Sequence, residues 1–556
     1  MPKHLLMAVL MAAVVLTTGC GGPPASDAPG HFDPGLTSYM PDAKPERGDW
    51  LTLWLPEEMP HLNPLTSTDV AADKVLSKVF DSMLDRDPYT QEMKPWIAES
   101  WEVSDNKLVY TFHLRKDVKF SDGVPLTAKD VKFTFDKIMD PKVDAPQLRN
   151  YFVDVTSVDV LDDYTVRFTC ARTYYLHVVA IGSAYIIPEH IYGNGDFNNH
   201  PNNRMPVGCG PYVLERWKTG LEVVLARNPL YFAGEGNNAP YFDRIIFSII
   251  TDENAAFLVC NRGDLDEKIL RPEEWTRRAN TEHFLKRFNR FAYNWPAYNY
   301  LGWNLRKPQF ADRRVRTALI MLMDREAVRD DIYKGLASIM VAGFMSGAPE
   351  CNDKLSPLPF DPARAAALLD EAGWKDTDGD GLRDKDGLPF RFEALTTNQS
   401  PVAEQILTLY KEELARAGID LGIRALEWAS LIDRVDKRDF DAVLMSWRLS
   451  PDTDPYQVWH SSQADKGSNF VGFVNAETDQ LIERARVSFD RDERIRLYHR
   501  FQEIMVEEQP YLFLLAPKQL LAVDKRIEGI KIYPFGLLDR EWRDWFVPKA
   551  VQRYGK

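Results

Sequence analysis

The chain has 556 residues, 45% of them hydrophobic and 27% charged, a composition suited to packed cores and not to a disordered or fibrous polypeptide. Its 82 Asp and Glu against 68 Lys and Arg leave a net charge of −14. An acidic surface of this kind repels phosphate backbones and argues against nucleic acid as a partner, while the length allows two or three domains.

Taken in chain order, the first feature is a leader. Lys3 and His4 precede an apolar run from Leu5 to Leu16, followed by Thr17-Thr18-Gly19-Cys20. The run is shorter than the roughly 20 residues a membrane span needs and has the layout of a secretory signal over residues 1–19. Cys20 after Gly19 resembles a bacterial lipoprotein cleavage site, so Cys20 is the expected lipidation site, although Thr17 stands where Leu is usual. Residues 21–49 are rich in Pro, Gly, Asp and Ser, and the stretch 20–45 is expected to be a flexible tether.

Leu51 to Leu55 predicts a first strand. Val75, Val79 and Met83 recur every four residues and predict a helix over 71–85. Leu108, Tyr110, Phe112 and Leu114 alternate with Val109, Thr111 and His113, the period of a strand with one buried face. Asp122-Gly123 supplies a turn, and Thr127 with Asp130 caps a helix that places Val131, Phe135 and Ile138 on one side. A hairpin over Val155 to Cys170 turns at Asp162-Asp163.

Later the pattern changes. Asp361-Pro362 opens an Ala-rich helix that stops at Gly373. A helix over Val402 to Ala417, a strand over Ile423 to Leu426, a helix over Leu431 to Val435 and a strand over Ala442 to Trp447 then alternate, which predicts α/β structure. Cys170, Cys209, Cys260 and Cys351 allow two disulfides in three connectivities, or four free thiols.

The wording of certain segments is more specific. Pro95-x-x-Ala98-x-Ser100-Trp101, Tyr110-Thr111-Phe112-x-Leu114-Arg115 and Val118-Lys119-Phe120-Ser121-Asp122-Gly123-x-Pro125-Leu126-Thr127-Ala128-x-Asp130-Val131 follow one another within some forty positions. Val207-Gly208-Cys209-Gly210-Pro211-Tyr212, Gly302-Trp303-Asn304, Phe310-x-Asp312-x-x-Val315-Arg316-x-Ala318, Asp324-Arg325, Ala372-Gly373-Trp374 and Phe440-Asp441 continue the series. Together they resemble family 5 of the extracellular solute-binding proteins, the dipeptide and oligopeptide receptors of bacterial ABC importers, over roughly residues 46 to 545.

The resemblance implies an α/β, two-lobed periplasmic-binding-protein fold of class II type with an extra subdomain. Lobe I would use residues 46–76, 204–297 and 515–556, the inserted subdomain 77–203, and lobe II 298–514. It implies a monomeric receptor in the periplasm or at the cell surface, anchored to a membrane by lipid. Such a receptor closes over a peptide and delivers it to permease subunits that hold the ATPase. A receptor for an oligosaccharide or for a nickel or haem complex is the alternative within the family. An exported peptide hydrolase is the rival from another class.

Site expectations centre on Trp447, which ends an apolar strand where the chain loops outward. In peptide-binding relatives an aromatic at this place lines the cleft, and an Asp three residues later meets the ligand's ammonium. Ser450 holds that place here, which makes Asp452 the nearest candidate anchor and Asp454 the next, unless Pro451-Asp452-Thr453-Asp454-Pro455 is only a turn. Asn63, Trp303 and Asn304 are further substrate-binding candidates at the borders of the ligand space. Asp376, Asp378, Asp380 and Asp384 match the first half of a calcium loop, but Gly387 stands where the closing Glu would be; a surface turn is the competing reading, and no other cofactor is expected. No His-Glu-x-x-His, Gly-x-Ser-x-Gly or phosphate-cradling motif is present, so no catalytic residue is assigned.

Overall fold

The computed structural model describes residues 44–233, 240–398, 400–450, 452, 454–537 and 541–554, with the backbone of the pair 38–39. The expected leader and the expected lipidation site Cys20 lie outside the described residues. Ser38–Tyr39, within the expected tether, pairs antiparallel with Ile530–Lys531.

Leu51, Leu53 and Leu55 point inward from the strand Trp50–Leu55, which runs parallel to Arg244–Ile249. Glu222–Arg227 and Tyr212–Lys218 complete that sheet as antiparallel neighbours. The helix beside it spans Val70–Val79, with the Asp69 carboxylate accepting from the Ala72 amide at 2.9 Å. It is shorter than the four-residue spacing to Met83 predicts. The Val79 carbonyl, which a continuing helix would offer to the Met83 amide, instead accepts from the Gly210 amide at 2.8 Å. Asp81 is buried and accepts from Tyr231 Oη at 2.9 Å and Arg543 Nη2 at 3.2 Å, which holds the chain out of the helix. Leu84–Arg86 is therefore a strand, paired with Met93–Pro95.

The same contact explains the glycines of Val207–Tyr212. A Cβ on Gly208 would sit 2.1 Å from the Val79 carbonyl oxygen and one on Gly210 would be 2.7 Å from it, so only glycine lets the two backbones meet. The Gly208 carbonyl in turn accepts from the Ser121 amide at 2.9 Å. Two of the resembling motifs are thus one structural joint.

A second sheet orders Ala98–Val103, Val109–Leu114, Thr165–Cys170 and Val155–Asp162. Tyr110, Phe112 and Leu114 are buried on one face, as their alternation predicts. The helix Ala128–Met139 lays Val131, Phe135 and Ile138 on that face, and the rings of Phe135 and Phe168 meet edge to face at 4.7 Å. At its start the Asp130 carboxylate accepts from the Thr127 amide at 2.9 Å.

The remaining sheets are joined by two neighbouring strands that cross between them. Phe288–Asn294 pairs with Leu515–Asp524 in one sheet, and after Trp295-Pro296 the chain re-enters as Ala297–Trp303 in a five-stranded sheet. There it lies between Ala442–Arg448 and Tyr511–Phe513, and the last of these leads through Leu514 back into Leu515–Asp524. Arg391–Thr397 and Asp420–Leu426 extend the five-stranded sheet in parallel, with helix Pro401–Arg416 connecting them. Separate buried clusters form on the two sides of the crossing, one including Leu53, Phe112 and Phe291, the others including Trp303, Tyr410 and Phe501. This is the two-lobed α/β architecture.

One lobe draws on distant parts of the chain, and buried charge stitches them. Arg526 binds Asp49 and, at 2.6 Å, Asp266, while Asp49 accepts from the amide of Tyr554 at 2.8 Å. The four cysteines of the body are free thiols; Cys170, Cys209 and Cys260 are buried and Cys351 is half-buried.

Candidate functional site

A cleft of about 1010 Å³ lies where the two lobes face each other. One wall comes from Leu65 to Thr68, Arg86, Asp144 to Tyr151 and Tyr174 to Ser183; the other from Gly343 to Glu350 and the loop beyond Trp447. Tyr298, on a crossing strand, also lines it.

Trp447 lines this cleft from the end of strand Ala442–Arg448. Its indole runs parallel to Tyr300, with centroids 6.1 Å apart, and to Phe470 at 6.0 Å, and its Nε1 donates to Tyr511 Oη at 3.5 Å. Two parallel rings and one hydrogen bond thus fix the indole's plane.

Both candidate anchors line the cleft, and both are met by groups reaching across it. Arg86 engages Asp452 with both terminal nitrogens, one of them at 3.1 Å, and also donates to the Gln91 carbonyl at 2.8 Å. The Asp452 carboxylate therefore faces a fixed guanidinium and not open space. Its own amide donates to Ser450 Oγ at 3.1 Å, so Ser450 shapes the loop. Asp454 accepts from Tyr174 Oη at 2.5 Å and pairs with Arg486 Nε at 3.1 Å. Burial and the Asp454 charge together push the Tyr174 phenol far above its ordinary pKa, so it stays a donor. Beside it the Tyr175 amide donates to the Arg486 carbonyl at 3.0 Å, and the Arg494 guanidinium lies 4.2 Å from the Tyr175 ring. These contacts hold the walls together.

The structure does not bring Asn63, Trp303 and Asn304 to the cleft. Asn63 is buried, donating to Asn203 Oδ1 and accepting from the Leu65 amide, each at 3.0 Å, which shapes the loop whose next residues do line the cleft. Trp303 is packed against Phe310 and Phe392, and Asn304 donates to the Phe440 carbonyl at 2.9 Å. All three sit behind the walls.

Sequence reasoning missed Arg86 and Tyr174. Arg86 meets a partner 366 positions away, and Tyr174 one 280 away, so neither pairing leaves a local signal. Arg448, which follows Trp447 directly, lines the cleft as well.

In the acidic turn, oxygens of Asp376, Asp378 and Asp384 lie within 4.8 Å of one another, and Asp380 is not part of that group. Their lone pairs already serve the turn: Asp376 accepts from the amides of Gly379 and Gly381 at 2.7 and 3.1 Å, and Asp384 from Thr377 Oγ1 at 2.7 Å. Among the described residues no helix is long and apolar enough to cross a membrane.

Two lobes, two crossing strands and a cleft between facing walls define a solute-binding receptor. Residues 92–469 match the family model of bacterial extracellular solute-binding proteins, family 5. The chain is 32% identical over 540 residues to the oligopeptide-binding protein AppA of Bacillus subtilis, covering 95% of this chain and 96% of that one. A dipeptide-binding protein of Pseudomonas aeruginosa is 27% identical over 497 residues, 84% of this chain and 89% of the relative. Among solved structures, Bacillus subtilis AppA in complex with a nonapeptide superposes with a TM-score of 0.76 at 30% identity, covering 91% of this chain and all of that one. NikZ from Campylobacter jejuni in complex with Ni(L-His) gives 0.75 at 27% identity, covering 90% and 99%. The chain belongs to family 5 of the bacterial extracellular solute-binding proteins.

Proposed function

We propose that this chain captures peptides between its lobes and delivers them to the permease of an ABC importer. The observation that carries the reading is the cleft: at about 1010 Å³ it reaches the top of the roughly 300–1,000 Å³ range of small-molecule sites, so it accommodates an extended chain. Its relatives named for oligopeptides and dipeptides support that ligand class. Main-chain hydrogen bonds to an extended ligand give affinity with little dependence on sequence. Only a closed form touches the ligand from both walls, so binding energy shifts the lobes towards closure.

The lobes in this reading are residues 46–76, 204–297 and 515–556 on one side, with 77–203 inserted, and 298–514 on the other. Cys20 carries a lipid that holds the monomeric receptor at a membrane, in the periplasm or at the cell surface. The chain itself catalyses nothing, and the acidic turn at 376–384 is structural.

A second reading has one observation in its favour. With Asp452 held by Arg86, the carboxylate expected to meet an ammonium is already neutralised, which suits a ligand without an amine, such as an oligosaccharide or metal complex. Native mass spectrometry on protein lacking residues 1–20, purified without denaturation, separates the two. A ladder of bound masses that fragment as peptides is expected, and peptides incubated with the protein should be recovered intact. A single non-peptide mass would overturn the proposal.

A further inference from the structure

Charge on the cleft walls is almost all spent internally. Asp452 faces Arg86, Asp454 faces Arg486 and Tyr174, and Glu350 pairs with Arg491 at 3.3 Å. Arg448 is different. It lines the cleft and is exposed, its guanidinium stacks over the Trp295 ring at 5.3 Å, and among the described residues no carboxylate lies within 4 Å of it and no acceptor takes a hydrogen bond from it. A guanidinium backed by an aromatic face and lacking a partner presents its planar fork to a carboxylate, the geometry of bidentate recognition.

The remaining cleft carboxylate without an ion pair among the described residues is Asp144, on an exposed turn, where any contact to an ammonium is screened by water. The balance of available charge therefore favours the acidic end of a ligand over its amino end.

Resting on the peptide reading, we infer that Arg448 recognises the carboxylate of the bound peptide, and that a free α-amine contributes little because Arg86 occupies the carboxylate that would receive it. The fork at Arg448 fixes the ligand's direction in the cleft, and Arg86 excludes selection for a charged amino terminus.

A synthetic pool of random-sequence peptides of three to nine residues tests this, prepared as free peptides, N-acetylated, C-amidated, and both. Competition read by native mass spectrometry, with titration calorimetry on the strongest binders, should show acetylation changing affinity by less than about twofold and amidation weakening it about tenfold or more, the scale of one charge-assisted bond. Arg448→Gln should remove the preference for acid over amide while leaving the melting temperature in place, and Arg448→Lys should restore part of it. Loss of binding on acetylation, or equal binding of acid and amide forms, overturns the inference and leaves the peptide receptor standing. Failure of every form to bind overturns both.

Discussion

At the scale of single residues, the ligand role proposed for Trp447 is open to direct test. Its ring is parallel to those of Tyr300 and Phe470 and it lines the cleft. Trp447→Ala is expected to weaken ligand binding by about tenfold or more, as truncation of a rigid aromatic anchor does; calorimetry with a recovered ligand checks it. His177 makes a different prediction. It is buried between the rings of Tyr110 and Tyr174, and burial lowers its pKa below the ordinary value. The unfolded chain then binds more protons than the folded one just below pH 6.5, so stability falls as pH drops through that value. Melting temperatures at pH 7.5 and about 5.5 should differ more for the native protein than for His177→Phe.

Elements depend on contacts that are local in some cases and remote in others. Helix Pro362–Glu371 begins where the Asp361 carboxylate accepts from the Arg364 amide at 2.9 Å, so Asp361→Ala should cost about 1 kcal/mol in urea unfolding. Helix Val70–Val79 ends for a remote reason, the docking of Gly208 and Gly210 on the Val79 carbonyl. Gly208→Ala forces a methyl into that carbonyl and is expected to destabilise by about 1–3 kcal/mol, read as a lower urea midpoint. An unchanged midpoint would mean that the joint yields.

Across the whole molecule, closure is shared between the two crossing strands and the contacts that bridge the cleft. The Arg86–Asp452 pair is about one-fifth exposed, so salt weakens it only partly, and Tyr174–Asp454 adds a short hydrogen bond beside it. If these contacts hold the ligand-free lobes together, Arg86→Ala combined with Tyr174→Phe should increase the radius of gyration in small-angle scattering. Saturating ligand should restore the compact value. Equal radii for the variant and the native protein without ligand would assign closure to the strands and the Tyr175 contacts with Arg486 and Arg494.

Pieces whose causes lie within a few residues can be read from the chain alone. The strand at Val109–Leu114, its following turn, the capped helix Ala128–Met139 and the placing of Trp447 at a strand end were all legible, because side-chain period and cap chemistry act locally. The motif wording identified the family as well, yet much of that wording turns out to build joints such as Gly208 against Val79, and Asn63, Trp303 and Asn304 support the walls from behind. Where charge is spent, by contrast, emerges once the walls face each other. Whether Asp452 is open to a ligand depends on Arg86 on the opposite wall, and whether Arg448 is open depends on every carboxylate that does not reach it. Such pairings act through space between residues hundreds of positions apart, and no periodicity along the chain records them.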